Sequence, residues 1–169
     1  MFQPRLFHIS DVSNIKTFEP RPDNEGKKRV WAIAEPRLHN YLLPRDCPRV
    51  TFFADTQTFV RDKERFLGDA KAVVAIESGW FERCVEATVY LYEFDPAPFN
   101  CIDKIAGYYT ATCSVQPLRE TRVPNPLQRI LERGVELRVL PSLWQLRDAV
   151  AESSLGFSII RMRNARPRP

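Results

Sequence analysis

The sequence lacks long apolar runs: none approaches the roughly 18 consecutive residues that a membrane-spanning helix requires. Arg5 and His8 interrupt what apolar character the N-terminus has, so the sequence predicts no signal peptide either. We therefore expect no membrane partner and a cytoplasmic location.

Glycine is scarce, and the motifs that cradle phosphates are missing. None of the six glycines belongs to a G-x-G-x-x-G or G-x-x-x-x-G-K-[ST] pattern, which argues against a doubly wound nucleotide-binding sheet. The chain also has no G-x-S-x-G and no H-E-x-x-H. The corresponding hydrolase classes can be set aside.

The four cysteines are widely spaced, and none belongs to a C-x-x-C pair. Zinc needs several soft ligands that converge, and only two histidines are present to complete a set. We therefore predict no metal site. Cys84 and Cys113 lie in apolar or helix-like contexts, which are typical of buried reduced thiols.

What the chain does contain is typical of a globular domain: 169 residues, 44% hydrophobic and 27% charged. Short strand-like segments follow one another without strict β-α-β alternation, and the clearest are Thr88 to Phe94 and Tyr108 to Val115. This order predicts an α+β domain with mainly antiparallel sheet. We expect a single domain over residues 1–165 and a frayed basic tail over 166–169.

The charge balance is mildly basic, with 25 Lys and Arg against 21 Asp and Glu. A balance of this kind attracts phosphate-bearing partners, but it lacks the clustered stripe of a nucleic-acid interface. A nucleic-acid-contacting module is therefore the last of three functional hypotheses. It depends on the arginines of the C-terminal third: Arg122, Arg129, Arg133, Arg138, Arg161, Arg163, Arg166 and Arg168.

Three segments near the N-terminus stand out. The segment L-F-H-I-S predicts a buried strand with His8 near its end, and K-T-F-E-P follows shortly after it. Val30 to Ala34 predicts a second buried strand that carries Trp31. A short helix after Pro36 carries Tyr41 and stops at the next proline.

These segments resemble the H-Y-E branch of the ADP-ribosyltransferase superfamily, which includes the poly-ADP-ribose polymerases and the small bacterial rifampicin-modifying enzymes. They are also similar to a bacterial family of uncharacterised domains with the same opening. In the superfamily, the first strand ends in His-Gly-Ser or His-Gly-Thr, and here L-F-H-I-S matches with Ile9 in place of the glycine. Trp31 matches the aromatic residue of the next strand, Tyr41 matches the helix tyrosine, and T-V-Y-L-Y-E-F-D-P resembles the strand before the variable loops.

The resemblance implies two small, mainly antiparallel sheets flanked by short helices, with NAD held in a cleft between them. His8 would hydrogen-bond the adenosine ribose, and Tyr41 would stack on nicotinamide. The backbone after His8, at Ile9 and Ser10, would pair with the carboxamide, and Trp31 completes the implied cofactor-binding set. The implied reaction cleaves the nicotinamide glycosidic bond, either as an ADP-ribosyltransferase or as an NAD glycohydrolase, through an oxocarbenium-like state.

The catalytic acid of this reaction has three candidates. Glu120 is the best by position, and Glu93 and Glu77 are alternatives. The second hypothesis is a noncatalytic nucleotide- or partner-binding protein on the same fold, in which Glu120 lies outside the cleft. A purely structural interpretation also stays open, with His8 as a hydrogen-bonded structural group, Tyr41 and Trp31 as core aromatics and Glu120 as part of a solvated charge cluster.

Overall fold

Two β-sheets and several short helices make up the protein in the computed structural model, which describes residues 4–169. The class predicted from the sequence, α+β with two mainly antiparallel sheets, is confirmed. Residues 1–3 of the predicted domain lie outside the described residues. Within the described part of the chain, no helix has the length and apolar character needed to cross a membrane.

The strands follow one another in short segments along the whole chain. In chain order they are β1 (Leu6–Ser10), β2 (Arg21–Pro22), β3 (Lys28–Ala34), β4 (Arg49–Phe53), β5 (Ala72–Glu77), β6 (Thr88–Phe94), β7 (Asn100–Asp103), β8 (Tyr108–Ala111), β9 (Arg119–Pro124), β10 (Glu136–Leu140) and β11 (Gly156–Ile160).

The helices are short and lie between these strands. The α-helices are α1 (Val60–Phe66), α2 (Phe81–Glu86), α3 (Pro126–Glu132) and α4 (Trp144–Ala151). Three further segments form 3₁₀ helices: Glu35–Tyr41, Ser78–Trp80 and Met162–Asn164. Asn125 caps α3, because its side-chain oxygen accepts a hydrogen bond from the Gln128 backbone.

The larger sheet is antiparallel, with strand order β7-β8-β3-β1-β6-β9 and β2 added beside β3. The smaller sheet has the order β10-β5-β4-β11, and β10 pairs with β5 in parallel. One face of each sheet packs against the other in a common core that contains Phe7 and Ile33 from the larger sheet and Val74 and Ile76 from the smaller. The opposite face of the smaller sheet packs under α1 and α4.

Alternation along β1 separates its side chains onto the two faces of the larger sheet. Phe7 and Ile9 face the core between the sheets, whereas Leu6 and His8 point to the outer face. Residues 11–19 lie across part of this outer face and place Phe18 about 5 Å from two aromatic rings of β6. The outer face therefore has its own aromatic cluster.

The structure differs from the sequence prediction at several places. The strand predicted from Tyr108 to Val115 ends at Ala111, and Val115 instead exchanges two backbone hydrogen bonds with Phe18. Cys113 is exposed, so its predicted burial is wrong.

The third difference is the C-terminal tail, which is docked where the sequence predicted fraying. Glu77 accepts a hydrogen bond from the Arg166 backbone N–H at 3.0 Å, and the Trp144 indole donates to the Arg166 carbonyl at 2.7 Å. Arg168 pairs with Asp148 and lies over the Trp144 ring. These contacts fix residues 166–168 against α4.

Candidate functional site: a split between two strands of the larger sheet

Strands β1 and β3 pair over only a short part of their lengths. The paired positions are Leu6 with Ala34 and Phe7 with Ile33. On its other side, β1 pairs with β6 along its whole length, to Ser10. We call the unpaired region, with His8–Ser10 on one side and Val30–Ala32 on the other, the β1–β3 split. Alternate backbone groups of His8–Ser10 point towards the split, because successive peptides of a strand point to opposite edges.

The His8 side chain crosses the split to the backbone of Trp31. Its Nδ1 atom lies 2.9 Å from the Trp31 carbonyl oxygen. A carbonyl can only accept, so Nδ1 carries the hydrogen, and in the neutral ring Nε2 is left as an acceptor. Nε2 has no hydrogen-bond partner among residues 4–169, and it is not among the atoms sealed from solvent.

The surroundings of His8 keep its ring neutral. Burial against the aromatic cluster lowers the pKa of His8, and the positive charges of Arg45 and Arg21 lower it further, while the hydrogen bond to Trp31 opposes them. The Phe18 ring centroid lies 4.9 Å from that of His8, which fixes the orientation of the imidazole. His8 therefore presents a neutral, oriented hydrogen-bond acceptor.

Arg45 is held at its backbone from two sides. Its N–H donates to the Asp11 carboxylate at 3.2 Å, and its carbonyl accepts from Arg161 at 3.2 Å and from Arg49 at 3.3 Å. The Arg45 side chain is exposed, and within the described chain neither it nor that of Arg21 forms an ion pair. Two available guanidinium groups thus lie close enough to His8 to affect its pKa.

Glu120 lies on the same face of the sheet as His8. The register places His8 opposite Tyr92 on β6, and Tyr92 opposite Glu120 on β9. Two strand spacings, about 10 Å, therefore separate the His8 and Glu120 backbones. Glu120 is exposed, and one of its carboxylate oxygens accepts from the Asn14 backbone at 2.7 Å.

Tyr92 fixes the segment between His8 and Glu120. Its hydroxyl donates to the Val12 carbonyl at 2.7 Å and accepts from the Ile15 backbone at 3.2 Å. Residues 12–15 are thereby attached to the outer face of the sheet. Sequence reasoning missed Tyr92, although it belongs to the clearest strand of the chain.

The other predicted cofactor-binding residues are divided between the two faces. Ile9 packs on the core between the sheets, and Ser10 accepts from the Val12 backbone at 3.0 Å. Trp31 is 37% exposed and packs edge-on against Tyr108 on the face opposite to His8. The structure therefore brings His8, Ile9, Ser10 and Trp31 to one split, but from both of its faces.

Tyr41 lies apart from His8, on the side of the sheet that faces the core. Its hydroxyl donates to the Tyr108 hydroxyl at 2.7 Å, and Tyr108 lies 3.2 Å from the Ser158 hydroxyl on the smaller sheet. Burial raises the pKa of Tyr41 well above its usual range. The two rings that the resemblance places around one ligand thus lie on opposite faces of the larger sheet.

Both alternative acids are engaged elsewhere. Glu93 forms ion pairs with Arg5 and Arg119, each at 2.8 Å, and the hydrogen bond from Arg5 lowers the pKa of Glu93. Glu77 is buried and accepts backbone hydrogen bonds from Leu143 and from the C-terminal segment. Among the three acids, Glu120 is the one that shares a face with His8.

Two surface depressions, of about 330 and 400 Å³, lie elsewhere, beside α4. The arginines of the C-terminal third are spread over β9, α3, β10 and the chain end. Arg129 pairs with Glu132, Arg138 pairs with Glu136, and Arg133 donates to the Glu35 carbonyl. These three arginines are thus engaged within the protein, which does not favour the nucleic-acid hypothesis.

Arg21 and Arg45 were also missed by sequence reasoning. Each lies in a loop-like, proline-rich stretch, P-R-P and P-R-D-C-P, where an exposed arginine gives no distinctive signal. Only the fold brings these two stretches near β1. The split itself is equally invisible in the sequence, because it depends on where pairing between two strands stops.

The chain is thus an α+β protein with two mainly antiparallel sheets and a histidine-bearing split in the larger one. A family model matches residues 7–165, and the chain belongs to that family, DUF6886, a family of unknown function. No curated protein and no solved structure matches the chain significantly.

Proposed function

We propose that this protein has an ADP-ribosyltransferase-like fold and binds a nucleotide, with NAD as the first candidate, at the β1–β3 split. The observation that carries this proposal is the state of His8. Its ring is oriented through Nδ1, kept neutral by its surroundings, and without a hydrogen-bond partner at Nε2 among the described residues. A ribose hydroxyl can donate a hydrogen bond to such an atom.

The charges around His8 suit the rest of a nucleotide. Guanidinium groups bind phosphate oxygens through paired N–H donors, and Arg21 and Arg45 have no ion-pair partner in the described chain. Both lie close enough to His8 to lower its pKa. A diphosphate is a suitable ligand for these two arginines.

The backbone of the split suits a carboxamide. A carboxamide has N–H donors and a carbonyl acceptor, as a backbone peptide of a neighbouring strand does. It can therefore pair with the backbone of His8–Ser10, the part of β1 that β3 leaves unpaired. Ile9 occupies the position where the resembling family has glycine. Its side chain points into the core between the sheets, which leaves its backbone groups in the plane of the sheet.

Isothermal titration with NAD and with ADP, each at millimolar concentration, tests the binding. We expect heat with the wild type, a loss of at least tenfold in affinity (about 1.4 kcal/mol) for His8→Ala and for Arg45→Ala, and no change for Arg129→Ala, an exposed control on α3. Absence of heat with both nucleotides would overturn the proposal. Equal affinity of His8→Ala and the control would also overturn it.

A second candidate adds catalysis by Glu120, and the shared row of His8, Tyr92 and Glu120 favours it. A carboxylate on that face could stabilise the positive charge that develops as nicotinamide leaves. Release of nicotinamide from NAD by the wild type, lost in Glu120→Gln and kept in Glu132→Gln, is the expected result. No release by the wild type, or equal release by the two variants, leaves binding alone.

A further inference from the structure

Two cysteines meet in the interior, away from the proposed nucleotide site. Cys47, just before β4, and Cys84, in α2, are both fully buried, and their Sγ atoms lie 3.6 Å apart. The other two cysteines of the chain are exposed. A disulfide joins sulfurs at about 2.05 Å, so a relative movement of about 1.6 Å would bring this pair to bonding distance.

A buried cation accompanies the two sulfurs. The Arg49 side chain is 2% exposed and donates only to backbone carbonyls, those of Cys47 at 3.0 Å, Pro44 at 2.8 Å, and Asn40 and Arg45 at 3.3 Å each. Within residues 4–169 it forms no ion pair with a carboxylate. A buried charge needs compensation, and the acidic groups beside it are the two thiols and the Tyr41 hydroxyl. Burial raises the pKa of Tyr41 well above its usual range, which leaves the thiols.

The hydrogen bond between the two sulfurs and the nearby positive charges act on both thiols. The interaction with Cys47 and the charges of Arg49 and Arg83 hold the pKa of Cys84 below its usual range, although burial opposes them. The interaction with Cys84 and burial raise the pKa of Cys47. In the structure the Cys84 thiol donates to the Cys47 sulfur, and the positive charges of Arg49 and Arg83 act on both sulfurs. A thiolate formed at either sulfur is therefore stabilised beside Arg49, and a thiolate is the nucleophilic form of cysteine.

We propose that Cys47 and Cys84 form an oxidisable dithiol site whose substrate class is a small peroxide. One sulfur of the pair, as its thiolate, attacks one peroxide oxygen, and the O–O bond breaks to give a sulfenic acid and hydroxide. The other thiol then attacks the sulfenic sulfur, the S–O bond breaks, and water leaves with the proton of that thiol. Two sulfurs are oxidised to a disulfide while one peroxide is reduced.

The experiment uses the chain with Cys101→Ser and Cys113→Ser, two exposed changes that leave the pair as the only thiols. The folded chain and the same chain unfolded in urea are each treated with equimolar hydrogen peroxide at pH 7. Unreacted thiols are then alkylated in denaturant without reductant. Peptide mapping identifies the linked residues.

We expect the folded chain to form the Cys47–Cys84 disulfide at least tenfold faster than the unfolded chain, because folding supplies both the thiolate and its partner. Reduction should restore both alkylation sites. In the same background, Cys47→Ser should stop at a sulfenic acid that dimedone traps on Cys84. A rate in the folded chain equal to or below that in urea would overturn the proposal, as would sulfinic acid without disulfide.

Discussion

The β1–β3 split and the hydroxyl chain of Tyr41, Tyr108 and Ser158 involve the same larger sheet but leave their polar atoms in opposite states. Each of the three hydroxyls has a hydrogen-bond partner, and together these hydrogen bonds join the two sheets. In the split, His8 Nε2 has none among the described residues. The difference indicates that the three hydroxyls determine how the sheets pack, whereas the β1–β3 split retains the capacity to bind.

The largest effect on stability should come from substitution of Arg49, which is buried near Tyr41. We expect Arg49→Met to lower the free energy of unfolding by about 3 to 5 kcal/mol, because four backbone carbonyls lose their donor in a buried place. Arg45→Met, which changes an exposed side chain, should alter it by less than about 0.5 kcal/mol. Urea unfolding of the two variants measures both values.

Similar losses of unfolding free energy in Arg49→Met and Arg45→Met would contradict the distinction between a structural Arg49 and an Arg45 that is available for binding. A preserved unfolding free energy in Arg49→Met would also remove the reason for placing a thiolate beside that residue.

Acid should act next most strongly, through His39, which is 5% exposed in the 3₁₀ helix Glu35–Tyr41. Burial, together with the charges of Arg133 and Arg37, lowers the pKa of His39 to about 4, from 6.5 in the unfolded chain. The unfolded state takes up the proton first, so stability is complete above pH 6.5 and falls as the pH drops towards 4. This site should account for about 3 kcal/mol of that loss.

Urea midpoints between pH 7 and 4 measure this dependence, and His39→Gln is the control. The variant should show a shallower decline over the same range. A decline as steep as that of the wild type would assign the acid sensitivity to other groups, His8 among them, whose pKa is also lowered by burial.

Tyr41→Phe should produce the smallest effect. Removal of its hydroxyl leaves Tyr108 with Ser158 as a partner, so a loss of about 1 kcal/mol is expected in urea unfolding. The heat of NAD binding should stay unchanged, because the hydroxyl lies on the face opposite to His8. Weaker NAD binding in this variant would instead favour the role that the resemblance implies for Tyr41.

The strands with apolar periodicity could be predicted from the sequence, and the charged edge strand could not. Thr88–Phe94 has the predicted bounds, because alternating residues fill two different cores. Strand β9, R-E-T-R-V-P, is nearly all exposed and is held by its pairing with β6. Sequence reasoning therefore left Glu120 beyond the predicted Tyr108 to Val115 strand and in no strand of its own, whereas it lies within β9.

The candidate site was predictable only in part for a related reason. His8 could be assigned to the first strand from local pattern, but it lies in the middle of β1 and not near its end. Its availability depends on long-range facts: the early end of β1–β3 pairing, the Trp31 carbonyl, and the approach of Arg45. Local pattern also could not assign Tyr41 to a face, because that depends on how the 3₁₀ helix packs against the sheet.

The nitrogen chemical shifts of the His8 ring test the central claim most directly. At pH 7 we expect a neutral ring with hydrogen on Nδ1 and none on Nε2, and a shift of the Nε2 resonance when NAD is added at millimolar concentration. Hydrogen on Nε2 in the free protein, or an Nε2 resonance that does not move with NAD, would contradict the account.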